Sequence, residues 1–284
     1  MAIVPSAVIA FDFDPLLRVG DGAVRLETLA VAAAILAGLV LAGIAVVRAG
    51  LRADDLLFVV LGIVPGAVVG GRLGYVLLHP AFFLADPGRI LDPGVGSLEL
   101  TLAVVGGAVT GTLVAILLDG RPGPWLHATA LPMLVTLGMA KAAAVLGGTG
   151  QGQPTTGEPA TAYLGAGPWG SLAPGIPSIP SQALEAIGVL LALGVVRALA
   201  LTPGLRRPDG RLFLVALAAW AVVRALVAAT WRDPLVLGPL RAEQVIDLVV
   251  AAVALGLCAR LIALRGPEAP ERRIDAADRP SPID

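Results

Sequence analysis

Long apolar runs separated by short polar breaks dominate the chain. Residues 28–47 and 100–118 carry no charge. Each has the ~20 apolar positions that an α-helix needs to cross the hydrocarbon core of a bilayer. Five more stretches, 56–78, 125–146, 183–201, 212–231 and 245–264, match that length with one or two polar interruptions. Turn and charge signals fill 48–55, 79–99, 119–124, 149–182, 202–211 and 232–244. The pattern predicts an all-α polytopic membrane protein with seven transmembrane helices over residues 27–264. An outer segment, 1–26, precedes them, and a charged, proline-containing tail, 265–284, follows and is expected to be disordered. The N-terminal stretch carries Asp12 and Asp14 and no cationic n-region, so it does not read as a cleaved signal peptide.

Composition narrows the class. The chain is 57% hydrophobic and 14% charged, with a mean hydropathy of +0.86. Soluble domains carry about 25% charged residues, and a soluble fold this apolar would have too little polar surface to meet water. The net charge of −1 gives no bulk basic signal for nucleic acid. Cys258 is the sole cysteine, which excludes an internal disulfide.

The arginines set an orientation. With the N-terminus outside, the inner loops hold Arg48, Arg52, Arg121, Arg206, Arg207 and Arg211, and the inner tail holds Arg265, Arg272, Arg273 and Arg279. The outer segments hold Arg18, Arg25, Arg89, Arg232 and Arg241, and the longest loop, 149–182, holds neither Lys nor Arg. An N-out, C-in arrangement therefore obeys the positive-inside rule. The 149–182 loop is rich in Gly, Pro, Ser and Thr. It reads either as a disordered linker or as a lid or substrate-docking segment.

Charges inside spans are costly, about 2.5–3.5 kcal/mol for Arg or Lys at a helix centre on insertion scales. Arg197 and Arg260 lie near inner helix ends, where snorkelling explains them. Arg72, Lys141 and Arg224 fall in outer half-spans, as do Glu185 and Asp247, and Glu27 opens the first span on the same side. Stacked at one depth, they read either as structural ion pairs or as a polar cavity open to the outer leaflet, whose cations attract an anionic head group. No uninterrupted row of charges crosses the membrane, which disfavours an ion channel. Glycine pairs at Gly70-Gly71, Gly106-Gly107 and Gly147-Gly148 mark either small-residue helix packing or room beside the backbone for a lipid or peptide.

Several chemistries lack their motifs. There is no Gly-rich loop ending in Gly-Lys-Ser/Thr, no His-Glu-x-x-His, no Cys/His cluster and no Gly-x-Ser-x-Gly elbow. No metal and no cofactor are expected. His79 and His127, the only histidines, read as interfacial aromatics. A transporter would call for an inverted internal repeat, and none is visible.

The order of short segments from about residue 25 to 264 resembles the bacterial prolipoprotein diacylglyceryl transferase family. Gly71-Arg72-Leu73-Gly74-Tyr75-Val76 is similar to the family's Gly-Ala-Arg-Leu-x-Tyr-Val, and Val105-Gly106-Gly107 falls where the family has His-Gly-Gly. Gly138 through Gly150 has the length of the Gly-Arg-x-Gly-Asn signature region up to its last glycine. Pro180-Ser181-Gln182-Ala183-Leu184-Glu185-Ala186 resembles Pro-Ser-Gln-x-x-Glu-Ala, the best match. Gly210 to Arg232-Asp233-Pro234 resembles the Gly…Phe…Arg…Arg-x-Pro-Asp stretch, and Glu243-Gln244 falls at Gly-Gln.

The resemblance implies a seven-span enzyme of the bacterial inner membrane. It implies transfer of the diacylglyceryl group of phosphatidylglycerol to the lipobox cysteine at a prolipoprotein signal peptide, with membrane lipid as the medium and glycerol phosphate as the leaving group. It further implies that Arg72, Arg224, Gln182, Glu185 and Gly150 serve substrate binding. The family histidine is Val105 here, its signature arginine and asparagine fall on Met139 and Ala142, and its first-span tyrosine falls on Glu27. Glu27 and Lys141 are therefore the expected proton-handling residues. Lys141 lies two residues past Met139, about 200° round a helix. The same departures leave open a non-catalytic member that binds an anionic lipid or a signal peptide.

Overall fold

The computed structural model describes residues 8–92 and 94–264; the tail expected at 265–284 lies outside the described residues. Three short strands come first among the described residues: β1 (Val8–Phe11), β2 (Leu16–Val19) and β3 (Gly22–Arg25). Helices α1 (Leu26–Arg48) and α2 (Ala53–Leu78) follow, then a short α3 (Pro80–Ala85) and a 3-10 turn (Pro87–Leu91). Helices α4 (Leu100–Asp119) and α5 (Pro122–Gly147) lead to strand β4 (Ala160–Tyr163). Helices α6 (Ser181–Leu199) and α7 (Arg211–Ala228), the hairpin β5 (Leu235–Leu237) and β6 (Leu240–Arg241), and α8 (Ala242–Ala263) complete it. Seven of these helices are long and apolar enough to cross a membrane, and they coincide with the seven expected spans.

The long helices end where the sequence stops supporting them. Pro122 opens α5, where its missing N–H costs nothing, and Gly148 closes it in the left-handed region at φ 75°. Pro65 and Pro132 lie inside α2 and α5. Such prolines are tolerated in spanning helices because neighbouring groups re-satisfy the freed carbonyls.

Helix α7 is the centre of the bundle. It packs on α5, α6 and α8, and its Ala216, Trp220 and Ala221 are fully buried beside Leu134 and Val189. The outer helices turn large apolar side chains such as Leu36, Leu61, Val69 and Leu117 outward, as lipid-facing helices do. Glycines bring α2 and α4 to backbone contact. A Cβ on Gly106 would stand 2.2 Å from the Gly66 carbonyl oxygen, and one on Gly70 would stand 2.1 Å from that of Leu102. At Gly70 and Gly106 the backbone realises close helix packing, while Gly107 lines an apolar cavity.

The polar ends on one side form a cap that the helix pattern did not foresee. Strand β1 pairs in parallel with β4, from Val8 with Ala160 to Phe11 with Tyr163. The segment before α1 and the loop after α5 therefore lie on one side, as seven consecutive crossings require. The 149–182 loop is ordered, not a linker. Ala160, Thr161, Ala162, Tyr163 and Ser178 are buried, and Thr161 and Ser178 exchange backbone hydrogen bonds of 2.9 and 3.0 Å.

Candidate functional site

Helix α4 begins on Glu99, whose carboxylate caps it by accepting from the Thr101 and Leu102 amides at 2.6 and 2.7 Å. Two residues on, Thr101 sits beside α7 and α8. Its hydroxyl donates to Asp247 Oδ1 at 2.5 Å and accepts from Arg224 Nε at 2.9 Å. The Arg224 guanidinium is the hub. Nη1 meets Glu185 Oε1 at 3.2 Å, Nη2 approaches Glu99 Oε1 at 3.6 Å, and Nε approaches Asp247 Oδ1 at 3.5 Å. The other Glu185 oxygen accepts from Lys141 Nζ at 2.9 Å. Five helices thus supply one network, and Arg224, Glu185, Asp247 and Glu99 are 3%, 1%, 0% and 4% exposed. Charges so buried persist only when each is paired, because an unpaired one keeps its full desolvation penalty.

A polar cavity of about 320 Å³ opens above this network. Lys141, Glu185 and Arg224 form its floor, Trp231 and Arg232 flank it, and Gly150 and Ser171 close it on the cap side. The Arg224 guanidinium carbon lies 4.8 Å from the Trp231 ring centroid and Lys141 Nζ lies 5.9 Å from it, so the indole face is presented to both cations. Arg232 is held by the cap: Nε donates to the Gly152 carbonyl at 2.7 Å and Nη2 to Ser178 Oγ at 3.1 Å. Three cations (Lys141, Arg224, Arg232) and four carboxylates (Glu99, Glu185, Asp233, Glu243) line the space.

A second cavity, about 480 Å³ and almost wholly apolar, lies deeper between α1, α2, α4, α5 and α7. Leu100 belongs to both walls. A charged head and an apolar tail of one amphipathic molecule would find matching surroundings on its two sides. No trio of His, Cys, Asp or Glu side chains among the described residues is spaced to hold a metal ion.

Of the expected site residues, the structure brings Lys141, Glu185, Arg224 and Gly150 to the polar cavity. Gln182 stands behind Gly150, buried, and donates to the Tyr163 hydroxyl at 2.8 Å. That hydroxyl donates in turn to the Val145 carbonyl at 3.0 Å. Burial pushes the Tyr163 phenol up to about 12, with the Gln182 hydrogen bond opposing and the Glu27 charge adding to the rise.

Arg72 and Glu27 also lie off the cavity wall. Arg72 donates to the carbonyls of Ile90, Val95, Arg89 and Asp92 at 2.6, 2.6, 2.6 and 3.1 Å, so its fork holds the loop after α3. Glu27 accepts from Thr149 Oγ1 at 2.7 Å and fills the space that a side chain on Gly147 would need. On α5, Met139 and Ala142 turn outward while Lys141 turns in, so the cation on this helix comes two residues after the position the resemblance assigned to it. Glu99, Thr101, Trp231 and Glu243 also belong to the site, although none of them interrupts an apolar run at mid-span. The spacing of Glu243 and Asp247, one helical turn apart, was the available signal for a shared face.

Comparison with known proteins agrees with this architecture. Residues 15–260 match the family model described as prolipoprotein diacylglyceryl transferase. Three phosphatidylglycerol–prolipoprotein diacylglyceryl transferases are similar to the chain. That of Nostoc sp. is 29% identical over 258 residues, covering 85% of this chain and 86% of the relative. That of Trichormus variabilis is 28% identical over the same shares. That of Clostridioides difficile is 25% identical over 205 residues, 71% of this chain and 76% of the relative.

Proposed function

The chain belongs to the prolipoprotein diacylglyceryl transferase family, and we propose that it moves the diacylglyceryl group of phosphatidylglycerol onto the lipobox cysteine of a prolipoprotein, releasing glycerol phosphate. The observation that carries this reading is the adjacency of the two cavities: a polar one with buried Arg224 and half-buried Lys141, and an apolar one sharing Leu100 with it. The head group sits in the first and the acyl chains in the second. As the carbon–oxygen bond to phosphate breaks, charge grows on the leaving oxygens. Arg224 and Lys141, already oriented, meet that charge without reorganising. Glu185, Asp247 and Thr101 hold Arg224 in place, and Glu185 holds Lys141. Gly150 and Gln182 shape the wall toward the cap.

In this reading the protein lies in the bacterial inner membrane with its N-terminus and cap outside and its C-terminus inside, so that the polar cavity faces the lipobox of an exported chain. Glu27 keeps a supporting role, tying the start of α1 to Thr149 just past the end of α5. A second reading, lipid or signal-peptide binding without transfer, is favoured by one observation: Val105, Met139 and Ala142 stand where the family motif has histidine, arginine and asparagine. Expression in cells depleted of their own transferase separates the two. Restored lipoprotein lipidation, lost again in Arg224→Ala and Lys141→Ala, supports transfer. Correctly inserted protein that binds phosphatidylglycerol and restores nothing supports the second reading.

A further inference from the structure

We infer that Glu243, on the first turn of α8, accepts the proton of the attacking cysteine, an inference that rests on the transferase reading above. A thiol attacks carbon only as thiolate, and with an ordinary thiol pKa of ~8.5 it needs a proton acceptor at neutral pH. The carboxylates of the polar cavity differ in how far they are already used. Both Glu99 oxygens accept amide hydrogen bonds at the α4 cap. Glu185 spends one oxygen on Arg224 and the other on Lys141. Asp233 is exposed at the mouth, where water levels its basicity. Asp247 is sealed below the floor and does not line the cavity. Glu243 lines the cavity, and its Oε2 is buried without a hydrogen-bond partner among the described residues.

The backbone that carries Glu243 is fixed, while its Oε2 accepts no hydrogen bond among the described residues. Gln244 accepts from the Arg241 amide at 2.9 Å and donates to the Ala225 carbonyl on α7 at 3.0 Å. One turn on, Asp247 is pinned by Thr101. The charged groups facing Glu243 are Glu99, Lys141, Glu185, Arg224, Arg232 and Asp233, with Asp247 on its own helix. A rigid stem with one free acceptor oxygen, beside two cations placed for a phosphate, is what a general base at this reaction requires.

The step balances. The thiol proton passes to Glu243 Oε2, and the thiolate attacks the glyceryl carbon bonded to the phosphate oxygen. A carbon–sulfur bond forms, the carbon–oxygen bond breaks, and its electron pair leaves on the phosphate between Arg224 and Lys141. Glu243 then passes the proton to the released phosphate, which departs with the single negative charge that the lipid phosphodiester carried in.

A lipobox peptide with selenocysteine in place of cysteine isolates the proton step, because a selenol is already ionised at neutral pH. With the full chain in phosphatidylglycerol nanodiscs, Glu243→Gln is expected to slow transfer to the cysteine peptide by at least ~100-fold. Transfer to the selenocysteine peptide is expected to stay within ~5-fold of the parent, and Glu243→Asp, which keeps a carboxylate, recovers part of the cysteine rate. Native mass spectrometry should show the same phosphatidylglycerol occupancy in Glu243→Gln as in the parent. Equal rates of Glu243→Gln and parent on the cysteine peptide would overturn the inference. So would loss on both peptides in both variants, or a cysteine-only loss in Glu27→Gln. A parent that binds lipid and peptide but transfers to neither peptide would instead bring down the transferase reading, and this inference with it.

Discussion

Arg224 is opposed by more negative charge than it can balance, and that imbalance has a measurable sign. Its guanidinium faces Glu99, Glu185 and Asp247 at 3.6, 3.2 and 3.5 Å, and of these only Glu185 has a second cation, Lys141. Arg224→Gln removes the hub and leaves buried carboxylates uncompensated, a change that costs about 3–5 kcal/mol when one partner of a buried pair is lost. Asp247→Asn has the opposite character. It keeps an oxygen for the Thr101 hydroxyl and removes one of three repelling charges, so its own cost is expected to stay within ~1 kcal/mol. Combined, the two should couple: with Asp247 already neutral, Arg224→Gln should cost about 1–3 kcal/mol less than in the parent. A double-mutant cycle on denaturant unfolding in micelles, followed by tryptophan fluorescence, measures this. An additive cycle, or a loss for Asp247→Asn as large as that for Arg224→Gln, would refute the view that Arg224 is held chiefly by excess negative charge.

Three further outcomes are expected. Arg72→Ala should lower stability by about 2–3 kcal/mol through its lost loop hydrogen bonds, while phosphatidylglycerol occupancy by native mass spectrometry changes less than in Arg224→Ala. Between pH ~10, where an unfolded tyrosine ionises, and the folded value of about 12, stability should fall as pH rises, because the unfolded chain loses the Tyr163 proton first. Tyr163→Phe should flatten that fall in an alkaline unfolding series. In a Cys258→Ser background, cysteines at Gly175 and Gly204, both exposed with open space around the backbone, should label from outside and only after permeabilisation, respectively. The reverse pattern would invert the proposed orientation.

The spans were legible because the bilayer demands an unbroken apolar length, and nothing else in such a chain has it. Their ends were legible to within a few residues; Pro122 and Ser181 extend α5 and α6 beyond the apolar run into polar caps. The strands of the cap were not legible: four residues in β1 or β4 are too few to show an alternation. Within the site, Lys141, Glu185 and Arg224 stood out because charge inside an apolar run is expensive. Glu99 and Glu243 did not, since they lie at helix starts, where a carboxylate is ordinary. Depth also misled. Arg72 and Glu27 share the level of the cluster, but depth says nothing about azimuth. Helix α2 packs on α4 and α1 on α5, and both side chains are carried to contacts away from the cavity.

The chain is expected to perform transfer although Val105 stands where the family motif has histidine. Purified protein, phosphatidylglycerol and a lipobox peptide suffice to test it by mass spectrometry of the peptide and titration of released glycerol phosphate. The expected result is a peptide heavier by one diacylglyceryl group on its cysteine, one glycerol phosphate released per modified peptide, and neither product with Arg224→Ala. An unmodified peptide, with lipid and peptide both bound to the parent protein, would contradict it.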